Sequence, residues 1–381
     1  MLKMICCHFL CAIPSLFLNA STQEEPDPKQ VYGIWYTKEL GSLSEDKPLK
    51  ITQSPKAIST EDLKNLKEYI QDTQFSGVVY LSDQKGIYKV CSEKFETVEE
   101  DKLAFAIHSI SKLYTGILTL IMLQDGIITK NTLLSPLELD DSVMQALPLS
   151  VRQRIGVTTL YDAMIHRGGF GDYLGKYITA IQKALENNTL PPLPYKPEDF
   201  LPFSDEKVWK LEEGETRYSN LGILLVGLSI QRHYQKIESL GYNEILKKHL
   251  FDKAQIPSFF YSKPDHGYFN ENDTIAKHLC GSPAGGHWTT VKDLHKFGEW
   301  VKNKCLQDPD FMNLVEQYGQ EFYSAANREI MHAGGIPSSS AFLSVFLDNG
   351  ISIAIASDQG NRGMLGSFHL YNAIVRNLLA L

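Results

Sequence analysis

The chain places β-hairpin signals near both of its ends and helix-forming sequence between them. That layout restricts the fold more than any single motif does. Phe75 to Tyr80 is apolar and β-prone, Ser82 to Gly86 is a polar turn, and Ile87 to Cys91 returns as a second strand. Ala341 to Leu347 and Ile351 to Ser357 are apolar strands joined by Asp348-Asn349-Gly350, a strong hairpin turn. Strands at both ends predict an α+β architecture. They suggest one sheet closed by distant segments, with a helical domain inserted. The 381 residues are enough for one large domain or two intimately packed ones.

The middle reads as helix. Ser59-Thr60-Glu61-Asp62 has capping-box order and starts a helix to about Gln71. Apolar residues recur at helical spacing over Ser109 to Gln124, Thr158 to Ile165, Leu221 to Ile230, Tyr242 to Phe251, Thr290 to Asn303 and Phe368 to Leu379. The polar, proline-bearing run Asn187 to Pro202 is too long for a bare connection and predicts a loop that shapes a site. The expected division is 59–108 with 285–381 as the sheet part, and 109–284 as the helical part with a long loop at 177–213. Residues 21–58, rich in Pro, Glu, Lys and Ser, read as an arm or linker.

Residues 1–20 have the layout of a secretory signal peptide: Met1-Leu2-Lys3, an apolar run from Met4 to Leu18, then Asn19-Ala20. The expectation is a secreted or periplasmic protein. The apolar run is shorter than the roughly 20 residues a spanning helix needs, and no later segment is long and apolar enough. Three of the six cysteines fall in the leader. Cys91, Cys280 and Cys305 remain, which permits at most one disulfide and offers no zinc spacing. The net charge of −8, without a basic patch, argues against nucleic acid. No H-x-H or H-E-x-x-H occurs among the eleven histidines, so no metal and no cofactor are expected.

The chemistry is carried by Ser109-Ile110-Ser111-Lys112. A serine and a lysine three residues apart on a helix share a face, where the amine can take the hydroxyl proton. The helix N-terminus adds a positive field for the charge that attack creates. S-x-x-K occurs four times, at Ser44, Ser82, Ser109 and Ser204. Only the copy at Ser109 leads into an apolar helix, through Leu113, Ile117, Leu120 and Ile121; the others are polar clusters of turn type.

Y-x-N occurs at Tyr218-Ser219-Asn220 and at Tyr268-Phe269-Asn270. The first abuts an apolar helix that can fix both side chains. A phenol beside a lysine ammonium is expected to act as a base through a depressed pKa, and an amide can orient a substrate carbonyl. Asn220 read alone is equally a helix cap. H-x-G occurs at His166-Arg167-Gly168 and at His332-Ala333-Gly334, the second continuing as Gly335-Ile336-Pro337. Paired glycines let backbone N–H groups approach a substrate closely.

S-x-x-K, Y-x-N and [KH]-x-G in that order are the signature of penicillin-recognising serine enzymes. From about Phe75 onward the chain resembles the serine hydrolase family of class C β-lactamases, DD-carboxypeptidases, D-aminopeptidases and related esterases. Met164 to Tyr173 is similar to the family's His-Thr-Ser-Gly segment. Pro283-Ala284-Gly285-Gly286 with Asp293-Leu294 is similar to its Ala-Gly-Gly stretch and following helix. The resemblance implies a β-lactamase/transpeptidase-like fold, an antiparallel sheet flanked by helices plus an all-helical domain, with the site in the cleft between them. Ser109 matches the acylated nucleophile, Lys112 its activator, and Tyr218 the group that shares proton transfer. Asn220 matches the substrate-orienting amide, and His332 stands where the lactamases have a substrate-binding lysine. The backbone N–H groups of Ser109 and Gly335 would form the oxyanion hole.

There is no Lys-Thr-Gly in the chain. Histidine in that place carries less charge than lysine at neutral pH. The expected function is therefore a serine hydrolase acting through an acyl-enzyme on an ester or a small D-amino-acid peptide, cell-wall fragments included. A β-lactamase proper and a catalytically silent, β-lactamase-like binding protein are the alternatives.

Overall fold

The computed structural model describes residues 57–134, 141–269, 273–336 and 339–359, together with Ser367, Leu370, Tyr371, Ile374 and Val375. The expected leader, nearly all of the expected arm and most of the expected last helix lie outside the described residues.

The two terminal hairpins join into one sheet. β1 (Gly77–Ser82) pairs with β2 (Ile87–Cys91) on one side and, along its whole length, with β10 (Ser352–Ser357) on the other. β10 pairs with β9 (Ser339–Phe346), which pairs with β8 (Glu329–Ile336), and β7 (Tyr323–Ser324) forms the far edge. All these pairings are antiparallel, in the order β2-β1-β10-β9-β8-β7. β8 carries little strand signal in the sequence, because Ala333, Gly334 and Gly335 interrupt its bulky residues. Its full pairing with β9 overrides that weakness.

Period-two alternation explains the layering. Val79, Leu81, Phe342, Ile353 and Ile355 pack on one face with Leu66 and Ile70 of α1 (Thr60–Asp72). Ser59 caps that helix, with its side chain accepting from Asp62 N–H, as the capping-box order predicts. Val78, Tyr80, Leu343, Val345, Ala354 and Ala356 face the main core on the other side.

α2 (Ser111–Gln124) runs through that core. It is buried all round from Ser111 to Met122, as an apolar helix without a polar stripe must be. α3 (Leu174–Glu186) and a 3-10 turn at Pro197–Phe203 lie in the region read as a long loop. α4 (Asn220–Gln235) follows, longer at both ends than the apolar run suggests. The expected helix over Tyr242 to Phe251 is α-helical only to Leu246, after which a π turn covers Lys247–Phe251. α5 (Val291–Gln307) starts at the N-cap Thr290 and lies against β9 and β10, where Gly298 admits Leu343. α6 (Pro309–Tyr318) packs on α2.

A second sheet was not legible in the sequence. β3 (Ala104–Ala106), β4 (Phe259–Phe260), β5 (Gly267–Tyr268) and β6 (Trp288–Thr290) form it in the order β4-β6-β3-β5, with β3 and β5 parallel. Cys91, Cys280 and Cys305 are free and buried. Among the described residues, no helix is long and apolar enough to cross a membrane, and no cluster of potential metal ligands occurs.

Candidate active site

Ser109 stands in a single 3-10 turn, His108–Ile110, between β3 and α2. The backbone is strained there: His108 has φ +47°, in the left-handed region. The strain is held in place from two sides. His108 Nε2 lies 2.8 Å from Ser339 Oγ at the start of β9, and Ile107 N–H donates to His287 O at 2.9 Å. Gly334 of β8 completes the support, because a Cβ there would lie 2.1 Å from Ile107 O and 2.9 Å from Ser109 N. Glycine is thus what lets the strand close on the turn.

Lys112, in the first turn of α2, is 1% exposed. Its Nζ lies 3.1 Å from Ser109 Oγ, 2.7 Å from Asn220 Oδ1 and 2.5 Å from Ala284 O. Burial pushes the amine down to about 7, against the opposing charges of Glu321 and Asp172. At neutral pH much of it is therefore uncharged. A neutral amine has two N–H bonds, and Asn220 and Ala284 can accept both. Its lone pair is then left for the Ser109 hydroxyl.

Tyr218 and Asn220 come from the entry to α4. Ser219 is the N-cap: its Oγ accepts from Gly222 N–H at 2.8 Å and donates to Gly171 O at 2.6 Å. This frees the Asn220 side chain from capping. Its Oδ1 faces Lys112, and its Nδ2 donates to Asp172 Oδ2 at 2.8 Å. Tyr218 Oη lies 2.9 Å from Ser109 Oγ, and its ring centroid is 4.7 Å from Lys112 Nζ. The expected depression of the phenol pKa does not occur. Burial raises it well above its ordinary value, and the hydrogen bond to Ser109 lowers it by less. Tyr218 keeps its proton, and the unprotonated partner is the lysine.

The cleft beside Ser109 is lined by Asn220, Gly335, Ile336 and Ala284, and by an apolar wall that includes Tyr173, Tyr177 and Phe200. The hydroxyls of two wall tyrosines face away into internal bonds. Tyr173 Oη lies 2.5 Å from Ser282 Oγ, and Tyr177 Oη donates to His278 O at 3.0 Å. No Asp, Glu, Lys or Arg lines the cleft among the described residues.

His332 is placed differently from the substrate-facing position expected of it. It is 1% exposed and does not line the cleft. Its Nδ1 lies 2.6 Å from Ala333 O and its Nε2 3.9 Å from Glu321 Oε1. It shares a strand face with Gly334 and Ile336, the face that closes on the Ser109 turn, but it is buried against Glu321 rather than open to the cleft. Of the second motif copies, Tyr268 stacks on Phe105 in the small sheet, and Asn270 lies outside the described residues. His166 does reach the site. Its ring centroid is 4.5 Å from that of Tyr218, and its Nε2 is 2.9 Å from Glu321 Oε1. Asp172 and Glu321 had no signal in the sequence beyond being acidic.

The family profile named Beta-lactamase matches residues 92–372. The chain belongs to the β-lactamase family. This β-lactamase-family chain also has solved structural neighbours at low identity. A penicillin-binding protein from Bacillus halodurans is 16% identical with a TM-score of 0.60, over 82% of this chain and 99% of that one. The D-amino acid amidase from Ochrobactrum anthropi SV3 is 14% identical with a TM-score of 0.59, over 82% and 99%. A class C β-lactamase mutant is 12% identical with a TM-score of 0.55, over 82% and 96%. No curated protein matches. The β-lactamase/transpeptidase-like fold expected from the sequence is the fold observed, and the family is one of serine hydrolases.

Proposed function

We propose that the protein hydrolyses uncharged esters or small peptide amides, D-amino-acid peptides included, through an acyl-enzyme on Ser109. One observation carries the reading: Ser109 Oγ lies 3.1 Å from a buried lysine amine and 2.9 Å from a phenol. In the first step Lys112 takes the Ser109 proton as Oγ bonds to the substrate carbonyl carbon. The carbonyl oxygen becomes an oxyanion, which accepts hydrogen bonds from the backbone N–H groups of Ser109 and Gly335. As the tetrahedral centre collapses, the leaving alcohol or amine takes a proton from Tyr218, which Lys112 restores. Water then attacks the acyl-enzyme by the reverse proton route and releases the acid.

The cleft supports the substrate class. An apolar wall without a described charged side chain favours a neutral, apolar acyl group. A penicillin carboxylate would find no lysine of the lactamase type, because His332 is buried and pushed down to about 4 by desolvation. The test is intact-mass analysis after a fluorophosphonate and, separately, after a penicillin. Phosphonate addition to the wild type and none to Ser109→Ala is the expected result. No adduct with either reagent would point to a silent binding protein.

A further inference from the structure

We propose that Glu321 is a positioning residue for the Ser109 site: it holds the Tyr218 segment through His166, and its charge acts on the Lys112 amine. The inference rests on the reading of Ser109 as nucleophile and Lys112 as its base.

Glu321 is 5% exposed and lies just before β7, far in sequence from Ser109, Lys112, His166 and Tyr218. Its Oε1 is 2.9 Å from His166 Nε2. His166 Nδ1 accepts the Ser219 N–H at 3.2 Å, so the ring proton sits on Nε2 and is donated to Glu321. The main chain of His166 repeats the grip, since its carbonyl accepts Arg217 N–H at 2.8 Å. Tyr218 is therefore clamped on both sides by one histidine, which has φ +61° and is itself anchored by Glu321. A non-glycine residue in that conformation needs such anchoring.

The electrostatic part follows from what surrounds the two groups. Glu321 is faced by His166, by His332 of β8 and by Lys112 of α2. Burial raises its carboxyl, but these three outweigh burial and hold it below the usual carboxylate range, so it is an anion. His332 is pushed down to about 4 by burial and is neutral near pH 7. Lys112 is faced by Ser109, Tyr218, Asn220, Asp172, Glu321 and, from β8, His332. An anion close to an amine favours its protonated form. Glu321 accordingly opposes the burial that neutralises Lys112, and keeps the amine basic enough to remove a serine proton. Asp172 acts in the same direction and is unaltered in the variants below.

The experiment measures the second-order rate of fluorophosphonate labelling at Ser109, by intact mass, from about pH 5 to 9. Wild type, Glu321→Gln and Glu321→Asp are compared. Gln keeps an oxygen for His166 and removes the charge. Its rise with pH should be centred lower than that of wild type by roughly half a unit or more. Asp keeps the charge and shortens the reach, so its midpoint should stay near wild type while its plateau rate falls. A structural role alone would lower the plateau in both variants and leave both midpoints in place. A Gln midpoint equal to wild type overturns the proposal. If the Gln variant does not fold, Glu321→Asp decides. A plateau equal to wild type, or a midpoint displaced with the charge retained, overturns it. Wild-type protein unlabelled at Ser109 refutes the underlying assignment and this proposal together; labelled wild type with unmoved midpoints refutes this proposal alone.

Discussion

Lys112 Nζ lies closer to Asn220 Oδ1, at 2.7 Å, than to Ser109 Oγ, at 3.1 Å. The amide aims the amine, and Asp172 in turn holds the amide. Asn220→Ala should free one N–H of the amine, turn its lone pair off the serine, and leave Asp172 without that donor. Labelling of Ser109 should slow at least about tenfold, equivalent to about 1.4 kcal/mol. Asn220→Asp places a carboxylate beside the amine, which favours the ammonium, so the pH midpoint should move upward. An Asn220→Ala protein that labels at the wild-type rate would remove the amide from the assignment.

Lys112 also sets the expected pH dependence. Its amine is pushed down to about 7 and must be neutral to accept a proton. Activity should therefore rise as pH increases through about 7 and fall about tenfold for each unit below it. Tyr218 is displaced the other way, so it contributes no falling limb below its ordinary range near 10. A hydrolysis or labelling rate that stays flat down to pH 5 would contradict the lysine as base.

How far the sequence revealed this site depends on the range of each interaction. Ser109 and Lys112 are one helical turn apart, so their meeting is a local fact and visible in the spacing. Tyr218 and Asn220 were found because a short motif abuts an apolar helix. Glu321 and Asp172 were not found: each is an ordinary acidic residue whose meaning arises only when distant segments meet. The Tyr218 pKa was expected in the wrong direction because a charged lysine was assumed. Burial affects both groups, neutralising the lysine and keeping the phenol protonated. The terminal hairpins were legible from alternation and the Asn-Gly turn. β8 was not, because its middle is Ala333-Gly334-Gly335. The burial of His332 was equally hidden, because its neighbour Glu321 reaches it only in the folded chain.

Gly334 gives a direct test of how β8 supports the nucleophile. In Gly334→Ala the new Cβ would meet Ile107 O at 2.1 Å, which forces strand and turn apart. The expected cost is about 2 kcal/mol or more, seen as a lower Tm together with loss of phosphonate labelling. Gly175→Ala is the matched control. It lies in α3 with nothing within 4 Å of a new Cβ, and should be neutral or stabilising by up to about 1 kcal/mol. Equal Tm values for the two variants would show that β8 does not press on the turn.

Substrate preference follows from where charge is missing. The described cleft lining holds no cation, and His332 is enclosed behind it. Wild-type protein should therefore turn over a neutral p-nitrophenyl acyl ester better than a penicillin. His332→Lys would bury a cation beside Glu321 rather than present it to substrate, so it should leave that preference unchanged. Leu174→Lys is the informative change. Leu174 lines the cleft and is only half-buried, so a lysine there can keep its charge in water and reach a substrate carboxylate. The kcat/KM ratio of penicillin to ester should rise about tenfold, about 1.4 kcal/mol, within the strength of one charge-assisted hydrogen bond. Wild type preferring the penicillin would reverse the ranking of substrates. A ratio altered by His332→Lys and not by Leu174→Lys would return the third motif to the substrate side of the site.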